Sequence, residues 1–118
     1  MPGRRDREIL CHILRYCGQI QTAHEDFGAS RVRFSQSTTY QNAVCMCILQ
    51  IGELVGRLSE DFRRDTPQVP WQRIRGMRNF VAHEYGRLDL DVVWFTAVDS
   101  IPALQKFCES ALETKQQP

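Results

Sequence analysis

Tyr40-Gln41-Asn42-Ala43-Val44-Cys45-Met46-Cys47-Ile48-Leu49-Gln50-Ile51-Gly52-Glu53-Leu54-Val55-Gly56-Arg57-Leu58 is the stretch on which the fold turns. Tyr40, Ala43, Val44, Cys47, Ile48, Ile51, Leu54, Val55 and Leu58 recur at steps of three and four, so they form one stripe of an α-helix. The stripe predicts about five turns, ending near Phe62. Gly52 and Gly56 lie four apart inside it. An interior glycine weakens a helix by about 1 kcal/mol. The expected compensation is the close approach of a second helix.

Working outward, the same period appears on both sides. Ile9, Leu10, Ile13, Leu14, Cys17 and Ile20 predict a helix starting near Asp6. Thr22 and Glu25 have capping-box spacing, which suggests a short extra turn. The polar stretch from Gly28 to Ser37 reads as a loop. Beyond the central stripe, Asp65 to Pro70 reads as a connector, and Pro70 suits the first turn of a third helix. That helix carries Trp71, Ile74, Met77 and Val81, and Gly86 is placed to end it. Asp89 is a good N-cap for a fourth helix with Val92, Val93, Phe95 and Val98. Pro102 predicts a kink or restart, after which Leu104, Phe107, Cys108, Ala111 and Leu112 continue the stripe. Residues 114–118 are polar and are expected to fray. No strand-and-turn pattern occurs. The expectation is one all-α domain over residues 1–118, a bundle of four to five helices.

The bulk properties fit that reading. The chain has 118 residues, 42% of them hydrophobic and 25% charged, a globular balance with room for one core. No apolar run approaches the roughly 20 residues of a membrane helix, and no signal-like apolar segment follows the charged start. A cytoplasmic protein with no membrane association is expected. The five cysteines are odd in number and lack CxxC spacing. They suggest small buried side chains, neither a disulfide framework nor a metal site. The three histidines are scattered, and His12 and His24 read as ordinary surface residues. The net charge of +1 excludes a global field for nucleic acid. The basic residues are thirteen Arg and two Lys, and six of those Arg fall between Arg63 and Arg87 against Asp65 and Glu84. Arginine offers a planar fork suited to phosphate.

On a helical wheel of about 100° per residue, Ile74, Met77 and Val81 mark the core side of the third helix. Gln72, Gly76, Asn79 and His83 mark the outward side. Arg78 and Tyr85 fall on the shoulder between them. Arg78 and His83 leave the helix about 140° apart, so sharing one phosphate requires the long arginine to reach round, the helix to loosen near Gly86, or a second copy to complete the cleft. Taken alone, Arg78 reads as a salt-bridging residue with Glu84 or Asp89 as candidate partners. Asn79 and His83 are i,i+4 neighbours able to hydrogen-bond.

Arg78-x4-His83-x-Tyr85 resembles the R-x4-H-x-Y signature of the HepT-like toxins of the HEPN superfamily. Leu49-Gln50-Ile51-Gly52-Glu53, Arg57 to Phe62, Val69-Pro70-Trp71, Gly76-Met77-Arg78-Asn79 and Asp89 to Trp94 resemble the family's segments in order and spacing. The likeness runs from about Asn42 to Leu112. Gly86-Arg87 departs from it, standing where an aromatic residue and then a glycine are expected. The resemblance implies an all-α HEPN fold, a homodimer with the motif at the interface, and metal-independent RNA cleavage to a 2′,3′-cyclic phosphate with no cofactor. It makes His83 the general acid or base, Arg78 the stabiliser of phosphorane charge, and Asn79 a substrate-orienting residue. It also implies a partner, the minimal nucleotidyltransferase antitoxin MntA, which attaches AMP to Tyr85 and silences the nuclease. Transfer RNA or other cellular RNA is the substrate implied by analogy. The alternative is a non-catalytic HEPN dimer serving as a nucleotide-binding or scaffold partner.

Overall fold

The computed structural model describes residues 2–84 and 89–114, the side chains of His83, Glu84 and Thr114 excepted. Among the described residues there is no strand. Four helices carry the architecture: α1 (Arg4–Phe27), α3 (Thr38–Arg57), α5 (Trp71–Glu84) and α7 (Ile101–Thr114). Between them sit three six-residue helices, α2 (Arg31–Gln36), α4 (Glu60–Asp65) and α6 (Leu90–Phe95). The central stripe is buried as expected. α3 packs on α1 along one side and on α5 along another, and α7 closes against α1. Leu10, Ile13, Tyr40, Val44, Ile51 and Val55 form the middle of the core, all at 1% exposure or less. No helix among the described residues is long and apolar enough to cross a membrane.

Local chemistry corrects the expected boundaries in four places. The polar stretch after Gly28 is not all loop. Ser30 accepts a bond from the Arg33 backbone N–H and starts α2, which drives Phe34 fully into the core. The capping-box spacing of Thr22 and Glu25 starts no extra turn, because α1 runs unbroken to Phe27 and ends on left-handed Gly28. The central helix stops at Arg57, not near Phe62. Leu58 and Ser59 are extended, and the Ser59 hydroxyl caps α4 by accepting from Phe62 N–H. Pro70 lies just outside α5, its carbonyl taking the first helical bond from Ile74.

The other signals hold. Asp89 caps α6 through bonds from the Asp91 and Val92 N–H groups. Pro102 is accommodated by a π-helical turn, Thr96–Ser100, in which Ile101 N–H reaches back to the Thr96 carbonyl. The cysteines are all free. Cys17, Cys45, Cys47 and Cys108 are buried, and only Cys11 departs from the buried expectation. Burial pushes the Cys17 and Cys108 thiols up to about 12 and those of Cys45 and Cys47 to about 11.

His24 is not a surface histidine. It is half-buried, shares a hydrogen bond between Nδ1 and the Tyr40 hydroxyl, and meets the Tyr40 and Trp94 rings edge-on. Burial lowers its pKa below the ordinary histidine value, against a smaller opposing pull from the Ala97 backbone. This cluster joins α1, α3 and α6 at one end of the bundle.

The break between α3 and α4 is held from a distance. Asp6, only 8% exposed, accepts from the Ser59 backbone N–H at 2.9 Å and from its hydroxyl at 2.7 Å. One carboxylate therefore fixes the start of α1 to the turn that redirects the chain. Asp6→Ala leaves the Ser59 donors without their acceptor and is expected to cost about 1–3 kcal/mol of stability. Urea unfolding of the variant beside the parent measures it; an unchanged midpoint would show that this clamp contributes nothing.

Candidate active site

The site begins with the two glycines of α3. A Cβ at position 52 would stand 2.2 Å from Arg78 Cβ and 3.3 Å from Arg78 Cα. The α5 backbone is therefore pressed onto α3 at this point, and only glycine leaves room for it. One turn further along α3, a Cβ at position 56 would meet the Arg75 guanidinium, its nearest atom Nε at 3.3 Å. Gly52 and Gly56 thus open a shallow channel along α3, and Arg78 and Arg75 of α5 occupy it in succession.

This packing governs the arginine. Arg78 leaves α5 against the floor of the seam, and its side chain runs outward beside Glu53, the residue after the contact glycine. Nε of Arg78 donates to Glu53 Oε2 at 2.6 Å, and Nη2 lies 2.5 Å from the same oxygen. Nη1 donates to Asn79 Oδ1 at 3.0 Å. Arginine has five N–H donors. With Nε and one hydrogen on each terminal nitrogen engaged, two donors remain for a ligand. Both partners of the ion pair are about one-third exposed, so the pair is reachable from solvent. Its worth is more in orientation than in stability.

The partner of Arg78 is therefore Glu53 across the helix pair, and not Asp89 on the following segment; the Glu84 side chain lies outside the described residues. Sequence reading placed Glu53 inside a resembling segment but gave it no role. The signal present was its position next to Gly52, the residue expected to touch another helix. Asn79, expected to orient substrate, accepts from Arg78 through its side-chain oxygen.

The wheel of α5 holds where side chains are described. Trp71 and Val81 are buried, Ile74 and Met77 are partly buried, and Gln72, Gly76 and Asn79 are exposed. His83 lies within α5, two turns of chain closer to its C-terminal end than Gly76, and its side chain falls outside the described residues. Tyr85, Gly86 and Arg87 lie outside the described residues altogether, as does the expected end of the helix at Gly86. Among the described residues, no group of three or more His, Cys, Asp or Glu side chains is placed to hold a metal ion.

The other face of α5 borders a large open groove of about 810 Å³ between α3, α5 and the α6–α7 arm. Its walls are apolar, with Ile48, Ile51, Met77, Leu104 and Phe107 among them. On its edge Val92 and Phe95 are 41% and 56% exposed.

With the geometry in place, comparison with known proteins defines the class. The chain matches the Ribonuclease HepT-like family over residues 13–111. It is 31% identical to "Putative RNase MJ0125" of Methanocaldococcus jannaschii over 113 residues, 96% of each chain. It is likewise 31% identical to "Putative RNase TTE0752" of Caldanaerobacter subterraneus subsp. tengcongensis, over 93% of this chain and 96% of that relative. To "Probable ribonuclease HepT" of Thermococcus cleftensis it is 35% identical over 65 residues, 55% of this chain and 59% of that relative. No solved structure matches significantly. The chain belongs to the HepT-like ribonuclease family of HEPN proteins, and RNA cleavage is the activity of that class.

The glycine contact supplies a direct test. Gly52→Ala gains helix propensity of about 1 kcal/mol but forces α3 and α5 apart, an overpacking cost of typically 1–3 kcal/mol. A net loss of stability is expected, together with loss of RNA cleavage as Arg78 shifts away from Glu53. Gly56→Ala, which meets only a flexible side chain, should be milder. Thermal melts and cleavage assays on the two variants make the comparison; equal effects would mean that the contact at Gly52 has no special closeness.

Proposed function

We propose that this chain is the toxin of a HEPN/minimal-nucleotidyltransferase toxin–antitoxin pair, and that it cleaves cellular RNA, transfer RNA among it, without a metal ion. The observation that carries the reading is the fixed guanidinium of Arg78. It is held by Glu53 and Asn79 at the mouth of the α3–α5 seam, with donors to spare and His83 five residues further along the same helix. In the proposed reaction the ribose 2′-hydroxyl attacks the adjacent phosphorus and the bond to the 5′ oxygen breaks. The products are a 2′,3′-cyclic phosphate and a new 5′-hydroxyl. His83 moves a proton, either from the attacking hydroxyl or to the departing oxygen. Arg78 meets the charge that accumulates on the non-bridging oxygens. A guanidinium already locked in place spends nothing on reorganisation during the step.

A homodimer is the assembly we propose. The apolar groove beside α5 supports it, because its exposed Val92 and Phe95 need a cover. Its lining includes Arg73 on α5 and Asp99 on the opposite arm, opposite charges that two copies related by a two-fold axis could pair reciprocally.

His83→Ala and Arg78→Ala are each expected to reduce RNA cleavage by at least 100-fold with the melting temperature little changed for His83→Ala. Cleavage by the parent should persist in excess EDTA, and light scattering of the same sample should give a dimer. Strict dependence on a divalent ion, or an unimpaired His83→Ala enzyme, would refute the mechanism and leave the non-catalytic scaffold as the reading.

Regulation falls to Tyr85. AMP on this phenol would add bulk and phosphate charge two residues from His83, and an anion there repels an RNA backbone. Coexpression with a cognate MntA-like nucleotidyltransferase, followed by mass spectrometry, should find AMP on Tyr85 and none on Tyr85→Phe. An unmodified tyrosine in a neutralised complex would mean inhibition by occlusion.

A further inference from the structure

Arg75 is the one side chain in the glycine channel for which the proposed reaction has no use. It is exposed, and its guanidinium lies over Gly56 as Arg78 lies over Gly52. The ion pairs among the described residues are Arg4–Glu8, Arg31–Asp91, Arg64–Asp61 and Arg78–Glu53. Arg75 is in none of them. The two arginines are therefore alike in placement and unlike in charge balance. Arg78 stands beside a carboxylate that cancels its charge, so it contributes position and directed donors but little net attraction. Arg75, one turn earlier, brings to the same seam a positive charge without an ion-pair partner among the described residues.

Geometry sets the order of these groups. Arg75, Arg78 and His83 follow one another along a single helix, spanning about 12 Å at 1.5 Å per residue. Arg75 and Arg78 are i,i+3 neighbours, which places their Cβ atoms about 5–6 Å apart. A strand whose scissile phosphate rests between Arg78 and His83 and whose backbone follows α5 toward its N-terminal end passes its next phosphates beside exposed Arg75. Gly56 leaves room for the Arg75 guanidinium against α3, its Nε 3.3 Å from where a Cβ would stand. Gln72 and Gly76 on the adjacent exposed stripe add no carboxylate to oppose an anion.

We infer that Arg75 is a substrate-binding residue that holds a phosphate of single-stranded RNA flanking the scissile bond, and that the strand is laid along the exposed edge of the α3–α5 seam. This rests on the ribonuclease reading above and adds to it the direction of the bound strand: away from His83, toward the N-terminal end of α5. A contact of this kind to the backbone is independent of sequence and depends on salt. Because Arg75 is removed from the reacting atoms, it acts on association with substrate and not on the chemical step.

The test uses the full-length protein and a 2′-O-methyl RNA oligonucleotide, which lacks the attacking hydroxyl and so reports binding alone. For Arg75→Gln, affinity at low salt should fall severalfold for oligonucleotides of unrelated sequence. The slope of log affinity against log salt should shrink by about 0.7–1, the signature of one lost phosphate contact. Arg75→Lys should recover part of both. With cleavable RNA, Arg75→Gln should raise KM, whereas Arg78→Ala should lower kcat. A merely structural role would move neither the salt slope nor the split between KM and kcat. If Arg75→Gln melts as the parent does and binds with the parent's affinity and slope, the inference is overturned. It is equally overturned if RNA binding is intact while association with the nucleotidyltransferase is lost, since the seam then serves a protein partner. A parent protein that neither binds nor cleaves RNA overturns the ribonuclease reading itself, an outcome distinct from the other two.

Discussion

The close approach of α5 to α3 at Gly52 is the constraint from which the rest of the site follows. Two helices normally keep their backbones apart by the thickness of their side chains. Here one side chain is missing, and a helix carrying arginine at the contact comes down onto the gap. An arginine starting from such a position has little freedom in its first bonds. Its guanidinium emerges at a place set by the packing of two helices, and Glu53 and Asn79 fix its rotation there. The guanidinium is thus held in one orientation by helix packing and two partners. The cost is a helix weakened by its glycines, which the fold offsets by burying α3 against α1 and α5 together.

Charge is arranged with the same economy. The chain as a whole is nearly neutral, and the Arg78–Glu53 pair is neutral too, so attraction for an anion has to come from cations placed locally. The cysteines do not enter this account. The four that are buried have thiols pushed far above neutral pH and remain protonated, which removes them as nucleophiles.

Much of this was legible in the sequence because it rests on periodicity and short-range chemistry. The stripe from Tyr40 to Leu58 predicted the central helix, and the paired glycines predicted a close neighbour. Asp89 marked its cap, and Pro102 marked an irregular turn. The wheel of α5 separated Trp71 and Val81 from Gln72, Gly76 and Asn79. What escaped depends on partners distant in sequence. Nothing local ties Glu53 to Arg78, 25 positions away, or Asp6 to Ser59, 53 positions away. The end of α3 at Arg57 escaped because the apolar stripe continues through Leu58, and a local serine cap then overrides it. His24 looked exposed because its cover comes from Tyr40 and Trp94 on other helices. The positions of the His83 and Tyr85 side chains lie outside the described residues, so the motif was legible chiefly as a pattern.

The π-helical turn at Thr96–Ser100 has a consequence for how this arm tolerates change in length. Such a turn is in effect one residue inserted into a helix, and the faces of α6 and α7 are matched to that insertion. Val93 and Ala97 before or within it, and Ile101, Leu104 and Cys108 after it, all reach the core at steps of three and four. Deleting a single residue between Thr96 and Ser100 would remove the wide turn and join α6 and α7 in one regular helix. The Pro102 ring would then meet the carbonyl four residues before it within a regular turn. The wide turn is therefore what lets a proline sit inside this arm, and a chain without a proline here would be free to lose the extra residue.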